Sequence, residues 1–159
     1  MVTKEFLPTL RHQRNGHIIY IGSLAGLVGV PFQGFYSASK HALEGYAKTL
    51  RFELEPFNIK VSIVEPGFFK TNIHRSFILA TAKITDYDNV RSKALKALST
   101  SVEQAPTPEI VGRLVSKIIQ SENPKLQYRP GVNTKAVPVL NFFFPRLAEF
   151  GIRKKFQLR

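Results

Sequence analysis

Three residues in this sequence have types and spacing that could do chemistry: Ser23, Tyr36 and Lys40. Tyr36 and Lys40 stand four apart, so on a helix they share one face and address the same small volume. A phenol beside an ammonium titrates below its free value of about 10, because the positive charge favours the phenolate. Such a tyrosine can give or take a proton near neutral pH. Ser23, 13 positions before Tyr36, can place a second hydroxyl on the same substrate oxygen. Reversible reduction of a carbonyl needs this combination: a hydride from a cofactor and a proton from the enzyme. Taken alone, a Tyr-x-x-x-Lys pair is common on solvated helices, so the elements around it decide its weight.

Those elements read as follows. Residues 3–14 look like the end of a helix with Phe6, Leu7 and Leu10 on its apolar face, a kink at Pro8 and a stop at Asn15-Gly16. Residues 17–22 form a nearly continuous apolar, β-branched run, which predicts a strand buried on both faces in a parallel sheet. A loop carrying Gly22, Gly26, Gly29 and Gly34 follows. The spacing of Leu43, Ala47, Leu50 and Leu54 predicts a helix over about 35–55, ended by Pro56. Residues 59–65 read as a second strand, broken by Pro66-Gly67. Strand, long helix, strand is a βαβ unit, and it implies a parallel sheet. Ser23 and Pro66-Gly67 then stand at the carboxyl ends of neighbouring strands, where open α/β sheets bind ligands.

Beyond Phe68 the pattern weakens. Residues 91–98 suggest a short helix. Thr107-Pro108-Glu109 reads as a helix start, with a capping hydroxyl, proline at the first helical position and then an acid; that helix should run to about Ser121. Leu126 to Arg129 is a candidate third strand, ended by Pro130-Gly131. Residues 132–159 are an apolar, aromatic and finally basic tail.

The chain has 159 residues, enough for one domain. It has no cysteine, which excludes disulfide and thiol chemistry and agrees with a reducing compartment. The first residues lack the apolar core of a signal peptide, and no apolar run reaches the roughly 20 residues of a spanning helix. A cytoplasmic location is therefore expected. The net charge of +12 raises nucleic acid or an anionic surface as partners. The basic residues are mostly scattered, and no nucleic-acid-binding motif accompanies them, so no nucleic-acid partner is expected. The four histidines, His12, His17, His41 and His74, show no metal spacing and read as surface residues, so no metal site is expected. The run from Asn141 to Pro145 would either pack the core or face a membrane or a lipophilic substrate.

Several segments together carry a family resemblance: Gly16 to Ser23, Tyr36-Ser-Ala-Ser-Lys40, and Pro66-Gly67-Phe-Phe-Lys-Thr71. With the Ser23–Tyr36 spacing, they make the chain similar to the C-terminal portion of a short-chain dehydrogenase/reductase. The resemblance is specific over residues 3–73 and looser beyond. It implies an α/β fold: the C-terminal half of a Rossmann-like doubly wound parallel sheet, with the N-terminal dinucleotide-binding half absent. It divides the chain into a catalytic core segment (1–73), a substrate-lid and last-strand region (74–131) and the C-terminal tail (132–159).

By the same resemblance, Ser23, Tyr36 and Lys40 would be the catalytic residues. Ser23 would orient the substrate oxygen, Tyr36 would be the general acid/base, and Lys40 would favour the phenolate and hold the nicotinamide ribose. Tyr36, Lys40, Pro66, Gly67, Phe69 and Thr71 would contact the cofactor, NAD or NADP. Phe69 stands where the family usually has valine or isoleucine. The family's TGxxxGxG phosphate loop, its Asn-Ala-Gly segment and its helix asparagine have no counterpart in this sequence. The chain alone is therefore expected to be inactive; the alternative reading is a truncated fragment that retains only an interaction surface.

Gly26 to Phe32 and Phe52 to Phe57 resemble the steroid and retinol dehydrogenase branch. That implies a lipophilic alcohol or ketone as substrate, with Phe68, Phe77, Ile78, Leu79 and Phe142 to Phe144 around it. The resemblance also implies a homodimer or homotetramer, with the helix over 35–55 packing on its copy. Membrane association through the tail stays open.

Overall fold

The computed structural model of the chain describes residues 2–73 and 84–158. Phe77, Ile78, Leu79 and His74 lie outside the described residues. The elements run α1 (Val2–Gln13), β1 (Gly16–Ile21), α2 (Gly34–Leu54), β2 (Ile59–Val64), α3 (Asp88–Glu103), α4 (Glu109–Ile119), β3 (Gln127–Tyr128), α5 (Ala136–Phe143) and α6 (Pro145–Lys155). The sheet is parallel, in the order β1-β2-β3.

The predicted βαβ unit is present. β1 and β2 pair in parallel from Gly16↔Ile59 to Ile21↔Val64. The helical stripe of α2 buries Ala47, Leu50 and Leu54 against Ile59, Val61 and Ile63 of β2. Leu7 and Leu10 of α1, with Ile18 and Tyr20 of β1, pack around this core. β2 is the central strand and almost wholly buried. β1 differs from expectation: it is half-buried rather than buried on both faces, and Ile21 is exposed. Among the described residues it pairs on one side only, with β2.

A second cluster, Ala94 and Leu98 of α3 with Phe156, joins the later helices to Val30 and Phe68. α3 is twice as long as the sequence suggested, because Val102 is also buried and holds the Ser/Thr-rich last turns in place. α4 starts one residue late: Pro108 is its cap, and Thr107 hydrogen-bonds the Glu109 carboxyl instead of capping the backbone. The tail is not irregular but two helices, α5 and α6, joined at Phe144-Pro145. His17 is another departure. It is half-buried, with Nε2 3.0 Å from the Ser62 hydroxyl, and burial followed by the charges of Arg51 and Lys60 lowers its pKa. No described helix is long and apolar enough to cross a membrane.

The loop after β1 lies directly on α2. A Cβ on Gly26 would stand 2.9 Å from the Lys40 carbonyl oxygen and 3.1 Å from its carbon. Both are backbone atoms and cannot swing away, so Gly26 sets how closely the Ser23 loop approaches the helix. Gly26→Ala should therefore cost about 1–3 kcal/mol, the usual penalty for forced overpacking. Urea unfolding of the variant checks this; wild-type stability would show that the approach is not tight.

Candidate active site

The carboxyl edge of the sheet gathers the candidate residues. Past the strands the pairing continues, with Gly22 N–H donating to the Val64 carbonyl (2.7 Å) and Leu24 N–H to that of Pro66 (2.9 Å). The loops after β1 and β2 are thus fixed side by side. Ser23 caps a short 3₁₀ turn, Leu24–Gly26, by accepting a hydrogen bond from Ala25 N–H at 3.2 Å. A hydroxyl that accepts this way still has its own proton to donate.

Tyr36 lies in the first turn of α2 and Lys40 one turn later. Ser37 pins this start, its hydroxyl accepting from Val30 N–H at 3.4 Å. The Lys40 ammonium reaches back to β1 and donates to the Ile21 carbonyl at 2.9 Å. It lies 5.7 Å from the centre of the Tyr36 ring. An ammonium has three donors, so two remain for other partners. Burial pushes the Lys40 ammonium below the ordinary lysine range.

All of the sequence-nominated residues, Ser23, Tyr36, Lys40, Pro66, Gly67, Phe69 and Thr71, line one cavity of about 860 Å³. Phe69 is buried, and Thr71 sits at the exposed rim. Gly67 stands against Thr134, whose Cγ2 would be 2.8 Å from an added Cβ. The far wall comes from the later helices, with Leu98 and Val102 of α3, Val111 of α4, Val137 and Leu140 of α5, and Ile152 of α6. Phe68 also lines the cavity, but Phe142, Phe143 and Phe144 do not. They are exposed, so neither core packing nor a substrate wall describes them. Val137 and Leu140 take the inner face of α5; Phe142 falls on the opposite side, and Phe144 lies past the end of the helix. Among the described lining residues the only charged side chains are Lys40 and Lys155, and Tyr36 is the only phenol. No carboxyl or imidazole joins them.

Sequence reasoning missed a polar network directly behind this edge. Glu44, one turn after Lys40, and Glu65, just before Pro66, are both buried and meet Gln127 and Arg129 from the region of β3. The available signal was an acid set within an apolar stripe and another at the end of an apolar strand.

A family model described as short chain dehydrogenase matches residues 1–81. The 3-ketodihydrosphingosine reductase of Bacteroides thetaiotaomicron is 37% identical over 145 residues, covering 90% of this chain and 52% of that protein. Retinol dehydrogenase 8 of Bos taurus is 32% identical, covering 96% and 57%. Among solved structures, a short-chain dehydrogenase from Streptomyces avermitilis superposes with a TM-score of 0.72 at 26% identity, over 98% of this chain and 56% of that one. A serine dehydrogenase complexed with NADP+ superposes with a TM-score of 0.61 at 25% identity, over 84% and 50%. The chain thus spans about half the length of the relatives it matches. On the family match and the parallel α/β fold, it belongs to the short-chain dehydrogenase family.

Proposed function

We propose that this chain carries the catalytic face of an NAD- or NADP-dependent oxidoreductase that interconverts a lipophilic alcohol and its carbonyl. The observation that carries this reading is the convergence of Ser23, Tyr36 and Lys40 on one cavity at the carboxyl edge of a parallel sheet. The residues present fit the nicotinamide-ribose end of a dinucleotide. Lys40 offers donors next to the Tyr36 phenol, Pro66 and Gly67 offer a close-packed floor, and Thr71 offers a hydroxyl at the rim. A bound nicotinamide supplies or accepts the hydride at the substrate's carbonyl carbon.

The chain's own residues handle the proton. In reduction, the carbonyl π electrons move to the oxygen, and the Tyr36 O–H gives that oxygen its proton. Lys40 stabilises the phenolate left behind, and Ser23 donates to the same oxygen as its charge grows. In oxidation, the phenolate takes the alcohol proton back. Tyr36 suits this role because no carboxyl or imidazole lines the cavity among the described residues.

The lining favours lipophilic substrates. The walls from α3 to α6 are mainly aliphatic, and each substrate methylene buried against the aliphatic residues gains about 0.8 kcal/mol. The relatives named for 3-ketodihydrosphingosine and retinol point the same way. Outside the cavity, Phe142, Phe143, Phe144, Leu147 and Phe150 form an exposed apolar face beside the basic residues Arg146 and Lys154. Aromatic and basic groups together suit an anionic bilayer surface, which would also hold lipophilic substrates near the cavity.

The pyrophosphate-binding loop of the family has no counterpart in this sequence, so turnover is expected from a polypeptide that joins this chain to a glycine-rich βαβ segment. In that polypeptide Tyr36→Phe should lower kcat by about 10²–10⁴ while leaving dinucleotide affinity nearly intact. Lys40→Ala should weaken both rate and dinucleotide affinity. Steady-state kinetics with calorimetry separates the two; a Tyr36→Phe enzyme of near wild-type rate would remove Tyr36 as the acid/base.

A retinoid- or sphingoid-sized alcohol should have a higher kcat/KM than a short sugar alcohol. The reverse order would leave the reaction class and remove the lipophilic reading. Flotation with vesicles containing phosphatidylserine should capture the chain, and Phe142→Ser with Phe143→Ser should release it. Equal flotation of the double variant would remove the membrane reading.

A further inference from the structure

Glu44 and Glu65 are 3% and 0% exposed, two acids side by side in the interior. Their neighbours do not supply two full counter-charges. Glu65 Oε2 accepts from Arg129 Nε at 2.7 Å, and its Oε1 accepts from Gln127 Nε2 at 2.8 Å. Gln127 Nε2 also reaches Glu44 Oε2, at 3.2 Å. Arg129 Nη2 in turn donates to Gln127 Oε1 at 3.2 Å, which fixes the amide's orientation. Among the described residues, the cation paired with Glu44 is Lys48, at 3.8 Å and half exposed to solvent.

Glu44 Oε1 is buried, and no donor reaches it. It lies beneath the loop after β1, where a Cβ on Gly22 would come within 3.3 Å of it. An ionised carboxylate only accepts, so this oxygen would be left unsatisfied at a cost. A protonated carboxyl donates instead of only accepting, and the Glu65 carboxylate, which shares the Gln127 amide with Glu44, is the acceptor at hand.

We propose that Glu44 and Glu65 hold one proton between them, and that this shared proton positions the catalytic face by tying the α2 turn behind Lys40 to the Pro66-Gly67 turn. The placement supports it. Glu44 is fixed to the helix that carries Tyr36 and Lys40, Glu65 immediately precedes the turn that floors the cavity, and the loop bearing Ser23 rests on Glu44 through Gly22 and Gly26. The catalytic consequence rests on the function proposed above; the shared proton does not.

Burial first, then the hydrogen bond and charge of Glu65, push the Glu44 carboxyl up to about 7, against the opposing effects of Gln127 and Lys48. The charged and polar groups shown against the pair are Lys48 from α2 and Gln127 and Arg129 from β3 and its extension; the loop after β1 comes against Glu44 at Gly22 and Gly26. The folded chain therefore holds a proton that the unfolded chain, near the ordinary carboxyl value of 4.5, releases earlier. The pair's contribution to stability is complete below the unfolded value and is lost as pH rises through about 7. Past that point two negative charges face each other in the interior, and the helix turn and the Pro66 turn are pushed apart.

The test is carboxyl-carbon and amide NMR of the full chain labelled at glutamate, titrated across neutrality. One glutamate should titrate near 7, and the Gly67 and Lys40 amides should move with the same midpoint. Glu44→Gln, which keeps a donor toward Glu65 but cannot ionise, should abolish both. If that variant does not fold, Glu65→Gln should lower the Glu44 midpoint clearly. Titration of every glutamate in the ordinary carboxylate range would overturn the proposal, as would unmoved Gly67 and Lys40 amides. In the turnover-competent polypeptide, kcat/KM should fall above neutrality in wild type and not in Glu44→Gln. If the NMR titration appears but no dehydrogenase activity does, the shared proton stands and the proposed function falls.

Discussion

The in-register parallel pairing of β1 with β2 is the constraint from which the rest of the edge follows. Parallel strands leave the sheet at the same end, so the Ser23 loop and the Pro66-Gly67 turn emerge together and remain bonded past the last ladder pair. The connection between parallel strands must return to the opposite end, and α2 makes that return. Its first turns therefore start at the edge where β1 stops. This is why Tyr36 and Lys40, at the start of a 21-residue helix, reach the strand end, and why the Lys40 ammonium closes on the Ile21 carbonyl. A one-residue slip of β2 would turn Ile59, Val61 and Ile63 away from Ala47, Leu50 and Leu54. The core and the catalytic geometry are thus set by one register.

That dependence explains what the sequence made legible. The Tyr36–Lys40 spacing, the α2 stripe and the breaker at Pro66-Gly67 are local patterns, and local patterns survive without knowledge of the partner. What tertiary contact decides was harder to read. The last turns of α3 contain Ser99, Thr100 and Ser101, weak helix formers, and only the burial of Leu98 and Val102 holds them helical. In α5, Pro138 lies in the first turn, where its missing N–H has no helical partner to lose. Pro145 likewise opens α6 instead of ending structure. The exposure of Phe142 depends on the phase of α5 over the cavity, and that of Phe144 on where the helix ends, neither of which a run of aromatic residues announces. Glu44 was easy to pass over: a glutamate next to Leu43 on a helix also reads as the edge of a solvated face.

The two clusters divide the labour of the fold. The first, between α2 and β2, fixes the residues proposed to handle a proton. The second, Ala94, Leu98 and Phe156 with Val30 and Phe68, holds the aliphatic wall. Among the described residues they share no member, and only the second lines the cavity, so substitutions that reshape the wall need not disturb the strand register. Under the proposed function, specificity could then change while the proton-handling residues stay in place. The carboxyl pair is the contrary case. Well-packed apolar residues would fill its place at no cost to stability, since buried ionic groups rarely outperform them. What an apolar filling would lose is a directional link among helix, loop and turn. Arg129 and Gln127 keep that link tolerable by balancing one charge while the second stays neutral. Dispersion contacts hold the wall loosely enough to vary, whereas oriented hydrogen bonds hold the catalytic edge to one arrangement.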